Sequence, residues 1–508
     1  MRINLKGLYS NKLFVDVCVF LSGLALPFAF APYHLSYLAF PLISVFLFSV
    51  LNQSNKRSFW RGWLFGFAQF VVAFSWIFHS VHTFGHSPVI LALAMIVLLA
   101  AYCALFPALA AYLSQRFFNQ NIAVFLLLGF PLMWLVTEWL RGYLFTGFPW
   151  LSLGVSQADT SLAAFAPVIG ALGIGALMLL IAGLILLVVL QTNKIKQAIA
   201  AIVALFIVGQ GLSFINWSEP VSDDLKVSLL QLSVTQDKKW KPEVRGPSMR
   251  WYLEQTQKLT DSDIVVWPET AIPNFISRVK PYWEKVKQHA QETDSTVLTG
   301  VFMRDSETGR YYNSVVSTGG DYYQKKHLVP LGEYMPFRAL FEFLREYVHF
   351  PMSNIENGPQ QQTLIRVKGF EVGTSVCFED VFDRDIRSTL PEAKLLVNVS
   401  NDAWFKRSAE PFQHHQIARL RAMESARYLL RATNTGMSAV IGPKGEELVT
   451  SELFERTVIS ANVKAMTGAT PYVLLGNAPL VLLACLILVW QIYRQRFSAR
   501  KRPVSETD

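Results

Sequence analysis

Charged residues are scarce in this chain of 508 residues: they make up 16% of it, while hydrophobic residues make up 52%. Soluble domains carry roughly 25% charged residues, so the composition excludes a protein that is soluble throughout. Cysteine is also scarce, with four residues, and the chain has no low-complexity tract and no internal repeat. Cys377 is the one cysteine outside the long apolar segments, which excludes a disulfide partner in its own region.

Apolar runs follow one another through the first 214 residues, and one more lies near the end. A helix crosses the hydrocarbon core with roughly 20 apolar residues, and the sequence predicts eight spans, at 13–31, 34–51, 59–81, 88–113, 122–140, 163–190, 198–214 and 471–493. Buried helices of a soluble protein are the alternative, which seven consecutive runs disfavour. The first run could instead be a signal peptide ending at "AFA" (29–31), but Pro32 would follow the cut, so we expect an anchor.

Lysine and arginine in the short loops predict the orientation of the spans. They cluster in alternate loops and at both ends of the chain, whereas Arg141 is the one basic residue in the remaining short loops. Basic loops favour the cytoplasmic side, so both termini are predicted to be cytoplasmic and residues 215–470 to lie outside. The net charge of +9 falls in the membrane part of the chain, and we expect no nucleic-acid partner.

Three regions follow from this pattern. Residues 1–214 are predicted to form a polytopic α-helical membrane domain with seven spans, 215–470 an extramembrane α/β domain, and 471–508 a final span with a basic cytoplasmic tail. In the α/β domain, short β-branched runs predict strands at 226–234, 263–270, 295–303, 313–320, 369–380, 394–402, 436–443 and 457–463. Helices are expected near 245–260, 281–292 and 411–431.

Reactive side chains stand near the ends of predicted strands. The segment "VVWPET" carries Glu269, "YYQKKHLVPLGEYMP" (322–336) carries Lys325 and Glu333, and "TSVCFED" carries Cys377 and Glu379. Taken singly, these are explained by a core thiol, a strand-end carboxylate and a solvated lysine. Taken together, they indicate a nucleophile that needs a thiolate, a carboxylate that takes its proton and an ammonium that stabilises an oxyanion.

Glu269 in W-P-E, Lys325 in Y-x-K-x-H-L and Cys377 in C-x-E, in this order, resemble the Glu-Lys-Cys triad of the nitrilase (carbon–nitrogen hydrolase) superfamily. Together with the apolar spans and the segments 140–154, 327–336 and 398–405, the chain resembles that superfamily's apolipoprotein N-acyltransferase family. The resemblance implies a nitrilase-like α-β-β-α sandwich. Because neighbours in a strand point to opposite faces, Lys326 should face away from Lys325. Phe378 stands where the family usually has tyrosine.

The resemblance also implies a reaction. Cys377 would attack a phospholipid ester, with phosphatidylethanolamine as the expected donor, and form a thioester. The α-amine of a diacylglyceryl-modified N-terminal cysteine of an apolipoprotein would then take the acyl chain. Glu269 would accept protons, Lys325 and the backbone N–H of Phe378 would hold the oxyanion, and Glu333 and Glu379 would give support. The expected location is the inner membrane of a Gram-negative cell, with a periplasmic catalytic domain.

Two other classes of protein stay open. A membrane-tethered amidase or nitrilase would use the same triad on a small amide, although eight spans are an excessive tether. A scaffold or transporter should carry charges at the midplane of its spans, and these spans are nearly free of charge. No cofactor is expected. His79, His82 and His86 have a spacing that could suggest a metal, but no acidic or thiol ligand accompanies them, so we expect no metal.

Further residues are candidates for substrate binding. The resemblance implies that Trp240 and Trp404 form walls of the substrate pocket. Arg141 is expected to meet a lipid phosphate, with an ion pair to Glu138 on the same helix face as the alternative. Residues 337–350 show a helical apolar stripe that includes Phe341 and Leu344. We expect this segment to be a lid or a lipid entrance, and an ordinary amphipathic helix packed on the domain is the alternative.

Overall fold

The computed structural model describes residues 11–335 and 355–500, without the side chains of Thr192 and residues 498–500. These residues fall into two compact units. The first unit takes its described residues from Met1–Ser75, Met95–Ile215 and Leu475–Asp508, and the second takes them from Trp76–Ala94 and Asn216–Leu474.

Apolar helices make up most of the first unit, because a helix satisfies its backbone hydrogen bonds internally and can carry apolar side chains all round. Its α-helices are Lys12–Ala25, Ala39–Val50, Asn55–Ala73, Val89–Phe118, Ile122–Val124, Phe130–Arg141, Ala166–Leu190, Ile195–Ser213 and Ala478–Arg500. Residues Phe125–Gly129 continue the chain as a π-helix between two of these. The helix Val89–Phe118 begins in the second unit.

Six helices of the described residues are long and apolar enough to cross a membrane, so the prediction of eight spans is wrong. The six are Lys12–Ala29, Val89–Phe118, Ile122–Arg141, Ser161–Leu190, Ile195–Ser213 and Ala478–Phe497. The predicted span 34–51 is the shorter apolar helix Ser36–Val50. The predicted span 59–81 is the helix Asn55–Ala73, which carries Lys56, Arg57 and Arg61 in its first two turns and therefore lacks a long uncharged stretch.

Two ion pairs that share one carboxylate account for three of the few charges in this unit. Arg61 is 1% exposed, and its Nε lies 2.9 Å from Oδ1 of Asp16. Arg57 pairs with the other oxygen of the same carboxylate, and Arg61 also donates to the carbonyl of Ser49. A charge in a low-dielectric interior is costly unless it is paired and hydrogen-bonded, and these contacts meet that condition. They also connect three helices at one point.

Two six-stranded sheets form the second unit. In chain order its strands are Glu219–Pro220 (β1), Leu225–Gln231 (β2), Ile264–Phe275 (β3), Thr296–Arg304 (β4), Tyr311–Ser317 (β5), Tyr322–Gln324 (β6), Ile365–Val367 (β7), Phe370–Val376 (β8), Leu395–Ser400 (β9), Leu429–Thr433 (β10), Ala439–Ile441 (β11), Glu447–Thr450 (β12), Thr457–Val463 (β13) and Met466–Thr467 (β14). One sheet has the order β13-β2-β3-β4-β5-β6 and the other β12-β11-β10-β9-β8-β7, while β1 pairs with β14.

The two sheets pack face to face, and helices cover their outer faces. One apolar cluster joins side chains of both sheets, among them Val266 and Val397. A second cluster joins β2, β3 and β4 to Pro242–Lys258 and Lys280–Glu292. A third joins β9, β10 and β11 to Asp383–Arg387, Glu410–Ser425 and Pro471–Leu475. This is the expected α-β-β-α sandwich, and burial of each large aliphatic side chain stabilises it by roughly 1.5–3 kcal/mol.

The predicted helix 411–431 is two elements. The helix ends at Ser425, because Ala426 adopts a left-handed backbone with φ of 49°. The chain then forms β10, which pairs in parallel with β9. The run "YLLR" therefore lies largely in a buried strand and not in the predicted helix.

Candidate active site

Glu269 lies on β3 at a point where regular pairing is interrupted. The register between β3 and β4 shifts between Trp267 and Ile272, and Thr270 has a positive φ of 48°. Gly300 on β4 allows this close approach, because a Cβ there would lie 2.5 Å from the Cα of Glu269. The irregularity holds the Glu269 carboxylate in the interior, where the residue is 8% exposed.

Lys325 follows β6 and is buried, with 1% of its surface exposed. Its Nζ lies 2.9 Å from Oε1 of Glu333. The side-chain amide of Asn313, on β5, donates to Oε1 of Glu269 at 2.6 Å and to Oε1 of Glu333 at 3.3 Å. Lys326 lies apart from this group, with its Nζ 3.3 Å from Oγ of Ser388. The structure therefore brings Glu269, Glu333 and Lys325 together and leaves Lys326 out.

Cys377 stands at the end of β8, where a 3-10 helix (Cys377–Val381) begins. Its φ of 52° lies in the left-handed region, which a non-glycine residue occupies at a cost of roughly 1–3 kcal/mol. The side-chain amide of Asn398 on β9 holds this turn by donating to the Cys377 carbonyl at 3.2 Å. The thiol is free and partly exposed. Strain of this kind clusters at functional sites, so the turn supports a reactive role.

Glu379 joins two segments of the site. One is the turn at Cys377, here called the cysteine turn, and the other is the loop of residues 325–327 after β6, here called the lysine loop. Its buried carboxylate accepts hydrogen bonds from the Tyr323 hydroxyl at 3.0 Å and from the backbone N–H of Lys326 at 2.7 Å, His327 at 3.0 Å and Val376 at 2.8 Å. Burial raises the pKa of Glu379 to about 7, although Lys325 opposes this.

Phe378, at the position where the resemblance implied a tyrosine, lies among other aromatic rings. Its ring centroid lies 5.0 Å from that of Phe382 and 6.1 Å from that of His327. The expected aromatic packing is therefore present at this position, and the ring is buried.

The electrostatics of Glu269, Lys325 and Cys377 are coupled. Burial raises the pKa of Glu269, with Lys325 opposing the shift. Burial raises the pKa of the Cys377 thiol to about 12, Glu269 adds to this, and Lys325 opposes it. Burial alone would lower the pKa of Lys325, but Glu333 and Glu269 raise it above its ordinary value. Lys325 thus favours the thiolate form of Cys377, whereas burial and Glu269 favour the neutral thiol.

Lys239 is a second buried lysine, and the sequence analysis missed it. It is 5% exposed, and its Nζ donates to the backbone carbonyl of Glu269 at 2.9 Å. It lies in "DKKWKPE" between exposed neighbours, and a run of polar residues gives no signal of burial. Asn313 was missed for a similar reason, since its contact with Glu269 joins residues 44 positions apart.

A buried ion network lies behind the cysteine turn. Arg431 on β10 donates to Oδ2 of Asp380 at 3.1 Å, to Oδ1 of Asn398 at 2.6 Å and to Oδ2 of Asp402 at 3.3 Å. His414 contacts Oδ1 of Asp380 at 2.7 Å. The network therefore links the Cys377 turn to the loop that follows β9.

The same network contains the candidate metal ligands of the described residues. Donor atoms of Asp402, Glu410 and His414 lie within 4.8 Å of one another. The guanidinium of Arg431 already lies on Asp402 and lowers the pKa of that carboxyl to about 2 against the effect of burial. A cation bound here would be repelled by that guanidinium, so the cluster is better explained as an ion-pair network.

A cavity of about 1410 Å³ lies in the second unit. Trp240 and Trp404 both line it. The Trp240 ring stacks on Phe302 with centroids 5.9 Å apart, and the Trp404 ring meets Phe84 edge-on at 5.5 Å. The cavity is aromatic and also carries basic side chains, namely Arg245, Arg278, Lys406 and Arg407.

The remaining predicted site residues lie elsewhere. Arg141 is 2% exposed, its Nη2 lies 3.2 Å from Oε1 of Glu138, and its Nη1 donates to the carbonyls of Phe148 and Trp150 at 2.6 and 2.8 Å. The structure thus contains the ion pair that was the alternative to a lipid phosphate contact. Phe341, Leu344 and the whole segment 337–350 lie outside the described residues.

Two family models match this chain. One is described as the apolipoprotein N-acyltransferase N-terminal domain and matches residues 22–184, and one described as carbon-nitrogen hydrolase matches residues 226–472. The apolipoprotein N-acyltransferase of Methylococcus capsulatus is 41% identical over 465 residues, which cover 90% of this chain and 92% of the relative. This chain belongs to the apolipoprotein N-acyltransferase family.

Other members of the apolipoprotein N-acyltransferase family are similar over almost the full length. The Vibrio cholerae member is 36% identical over 507 residues, covering 97% of this chain and 99% of the relative. Among solved structures, a CN-hydrolase superfamily protein from Xanthomonas campestris is 21% identical with a TM-score of 0.36, covering 48% of this chain and 92% of that one. Glu269, Lys325 and Cys377 all lie within the carbon-nitrogen hydrolase match.

Proposed function

We propose that this chain transfers an acyl chain from a membrane phospholipid to the N-terminal diacylglyceryl-cysteine of an apolipoprotein, through a thioester on Cys377. The family supports the reaction class, since relatives named apolipoprotein N-acyltransferase align over nine-tenths of the chain. The observation that carries the mechanism is a strained, partly exposed cysteine whose thiol interacts electrostatically with the buried Glu269 and the buried Lys325.

In the first half-reaction, the Cys377 sulfur attacks the carbonyl carbon of the phospholipid ester while Glu269 takes the thiol proton. The negative charge that develops on the carbonyl oxygen is stabilised by Lys325 and by the backbone N–H of Phe378. The C–O bond then breaks, and the proton on Glu269 passes to the oxygen of the departing lysophospholipid. The acyl chain is left on the enzyme as a thioester.

In the second half-reaction, the α-amine of the apolipoprotein cysteine attacks the thioester carbonyl. Glu269 takes the proton that the amine loses, the C–S bond breaks, and Cys377 leaves as a thiolate that recovers a proton. The product is an amide-linked third acyl chain. A thioester also reacts with water, so the buried position of Glu269 and Lys325 favours transfer over hydrolysis.

Two further carboxylates hold this group in place. Glu333 pairs with Lys325 and fixes the ammonium where the oxyanion forms. Glu379 binds the backbone on both sides of the site, at Val376 and at His327, and so fixes the distance between the cysteine turn and the lysine loop. Groups that position a catalytic side chain contribute to the rate without touching the substrate.

The aromatic cavity is the proposed site of the substrates. Trp240 and Trp404 would form its walls, and acyl chains suit its aromatic lining. A membrane phospholipid is the proposed donor, because its acyl ester lies in the membrane that the apolar helices would occupy, and the family resemblance implies phosphatidylethanolamine.

We further propose an inner-membrane location with the catalytic domain on the periplasmic side. Five of the six candidate spans precede the α/β domain and one follows it. An odd number of crossings puts the start of the chain and the α/β domain on opposite sides, as the predicted seven would. Basic residues at both ends favour cytoplasmic termini.

Supplying the purified protein with phosphatidylethanolamine and a diacylglyceryl-cysteine peptide tests this function. We expect the peptide to gain one amide-linked acyl chain and the phospholipid to become a lysophospholipid in equal amounts. An amidase that uses the same triad would instead hydrolyse small amides and leave the peptide unchanged. Amide hydrolysis without peptide acylation would therefore overturn the proposal.

A further inference from the structure

Lys239 is buried without the ion pair that normally accompanies a buried lysine. It ends the short helix Gln236–Lys239 and is 5% exposed. Among the described residues, no carboxylate oxygen lies within 4.0 Å of its Nζ, and the ammonium donates to the carbonyl oxygen of Glu269 at 2.9 Å. Removing an ammonium from water is costly unless strong interactions replace the water, so core packing alone does not explain its position.

The carbonyl that Lys239 binds lies where the β-ladder is interrupted. The β3–β4 register shifts between Trp267 and Ile272, and Thr270 adopts a positive φ. Backbone carbonyls at such a shift lose regular ladder donors. The ammonium supplies a donor to Glu269 at this point and so restricts the direction in which the carboxylate of the same residue leaves the strand.

Lys239 also changes the charge balance around Glu269. Glu269 and Glu333 share the amide of Asn313, and Lys325 is the cation that pairs with Glu333. If Lys325 were the one cation here, the carboxylates of Glu269 and Glu333 would face a single positive charge. A neighbouring negative charge raises the pKa of a carboxyl group, so the pKa of Glu269 would be raised by Glu333.

The ammonium of Lys239 makes this balance even, and it attracts the Glu269 carboxylate. Glu379 is held separately by its hydroxyl and backbone donors. Cys377 faces both Glu269 and Lys325. Burial lowers the pKa of Lys239 to about 8 while Glu269 raises it, so the side chain is still largely protonated at neutral pH.

We propose that Lys239 is a positioning residue that holds Glu269 by its backbone carbonyl and favours the ionised form of its carboxylate, so that this group can accept the proton of the Cys377 thiol. This inference rests on the acyl-transfer function proposed above. It predicts an effect on the chemical step and none on the binding of phospholipid.

The variants Lys239→Gln and Lys239→Met test the proposal, with Lys238→Gln at the exposed neighbouring position as the matched control. Gln keeps a donor without the charge, and Met keeps neither. We expect Lys239→Gln to move the acidic limb of the pH profile for single-turnover thioester formation upward by about 1 unit, and so to slow the reaction by roughly tenfold at pH values below that limb. The KM for phospholipid and the thermal unfolding midpoint should stay unchanged, and Lys239→Met should be slower still.

A third variant keeps the test decisive if these two fail to fold. Lys239→Arg keeps a charge at all relevant pH values, so it should retain the acidic limb and lose the decline that we expect of the wild type as Lys239 deprotonates, near pH 8. Profiles of folded Lys239→Gln, or of Lys239→Arg, that superimpose on the wild type at both limbs would overturn the inference. Absence of any thioester on the wild type would instead refute the proposed function itself.

Discussion

The substitution Asn313→Ala tests whether hydrogen bonds to Glu269 are needed for its proposed role as the catalytic base. Asn313 is 1% exposed, and its amide donates to both Glu269 and Glu333. Among the described residues, Asn313 is the one whose side chain donates a hydrogen bond to the Glu269 carboxylate. The alanine variant removes both hydrogen bonds and leaves two neighbouring carboxylates less well solvated, which raises the pKa of Glu269.

The size of the effect follows from these contacts. A hydrogen bond to a charged group contributes roughly 1.5–3 kcal/mol, so a net loss of about 2–3 kcal/mol corresponds to a roughly 30- to 150-fold slower reaction. The assay is single-turnover thioester formation at pH 7, with the thermal unfolding midpoint measured on the same sample. Asn462→Ala, at an exposed position on β13, is the control and should react at the wild-type rate. A folded Asn313→Ala protein within threefold of the wild-type rate would refute this account of Glu269.

Three further substitutions separate neighbouring roles. Lys325→Ala should slow thioester formation by ~10²–10³ because an oxyanion donor is lost, whereas Lys326→Ala should have little effect, and equal losses would contradict the assignment. Glu333→Gln should reduce kcat and leave the KM for phospholipid unchanged, because it frees the Lys325 ammonium without touching the cavity; a changed KM with normal kcat would argue against this role. Arg141→Gln should reduce the free energy of unfolding by roughly 3–5 kcal/mol, and so lower the thermal unfolding midpoint, because it leaves the buried Glu138 without its cation; an unchanged midpoint with a raised KM would instead support a lipid phosphate contact.

Local sequence patterns predicted much of the sandwich and its reactive residues. The β-branched runs around Glu269 and Cys377 are β3 and β8, and the structure brings both residues near Lys325. These signals are local, since each motif lies within one buried strand or immediately after it. The contacts of Asn313 with Glu269 and of Arg431 with Asp380 join distant strands, and no local pattern encodes such pairs.

Two predictions were wrong because the local sequence pattern did not show how long a helix would be. Apolar composition predicted a span at 34–51, but helix length decides whether a run can cross a membrane, and the helix there is short. The predicted helix 411–431 was also too long, because Ala426 ends it with a left-handed backbone. Alanine favours helices, so the sequence offers no stop signal at that position.

The central claim is that Cys377 carries the acyl chain, and intact-mass analysis of the purified protein with phospholipid alone tests it most directly. The account predicts an added mass of one acyl chain, located on Cys377, that hydroxylamine removes and that is lost in Cys377→Ser. Replacement of Cys18, Cys103 and Cys485 by alanine should leave the adduct in place. An adduct on another residue, or normal peptide acylation by Cys377→Ser, would contradict the account.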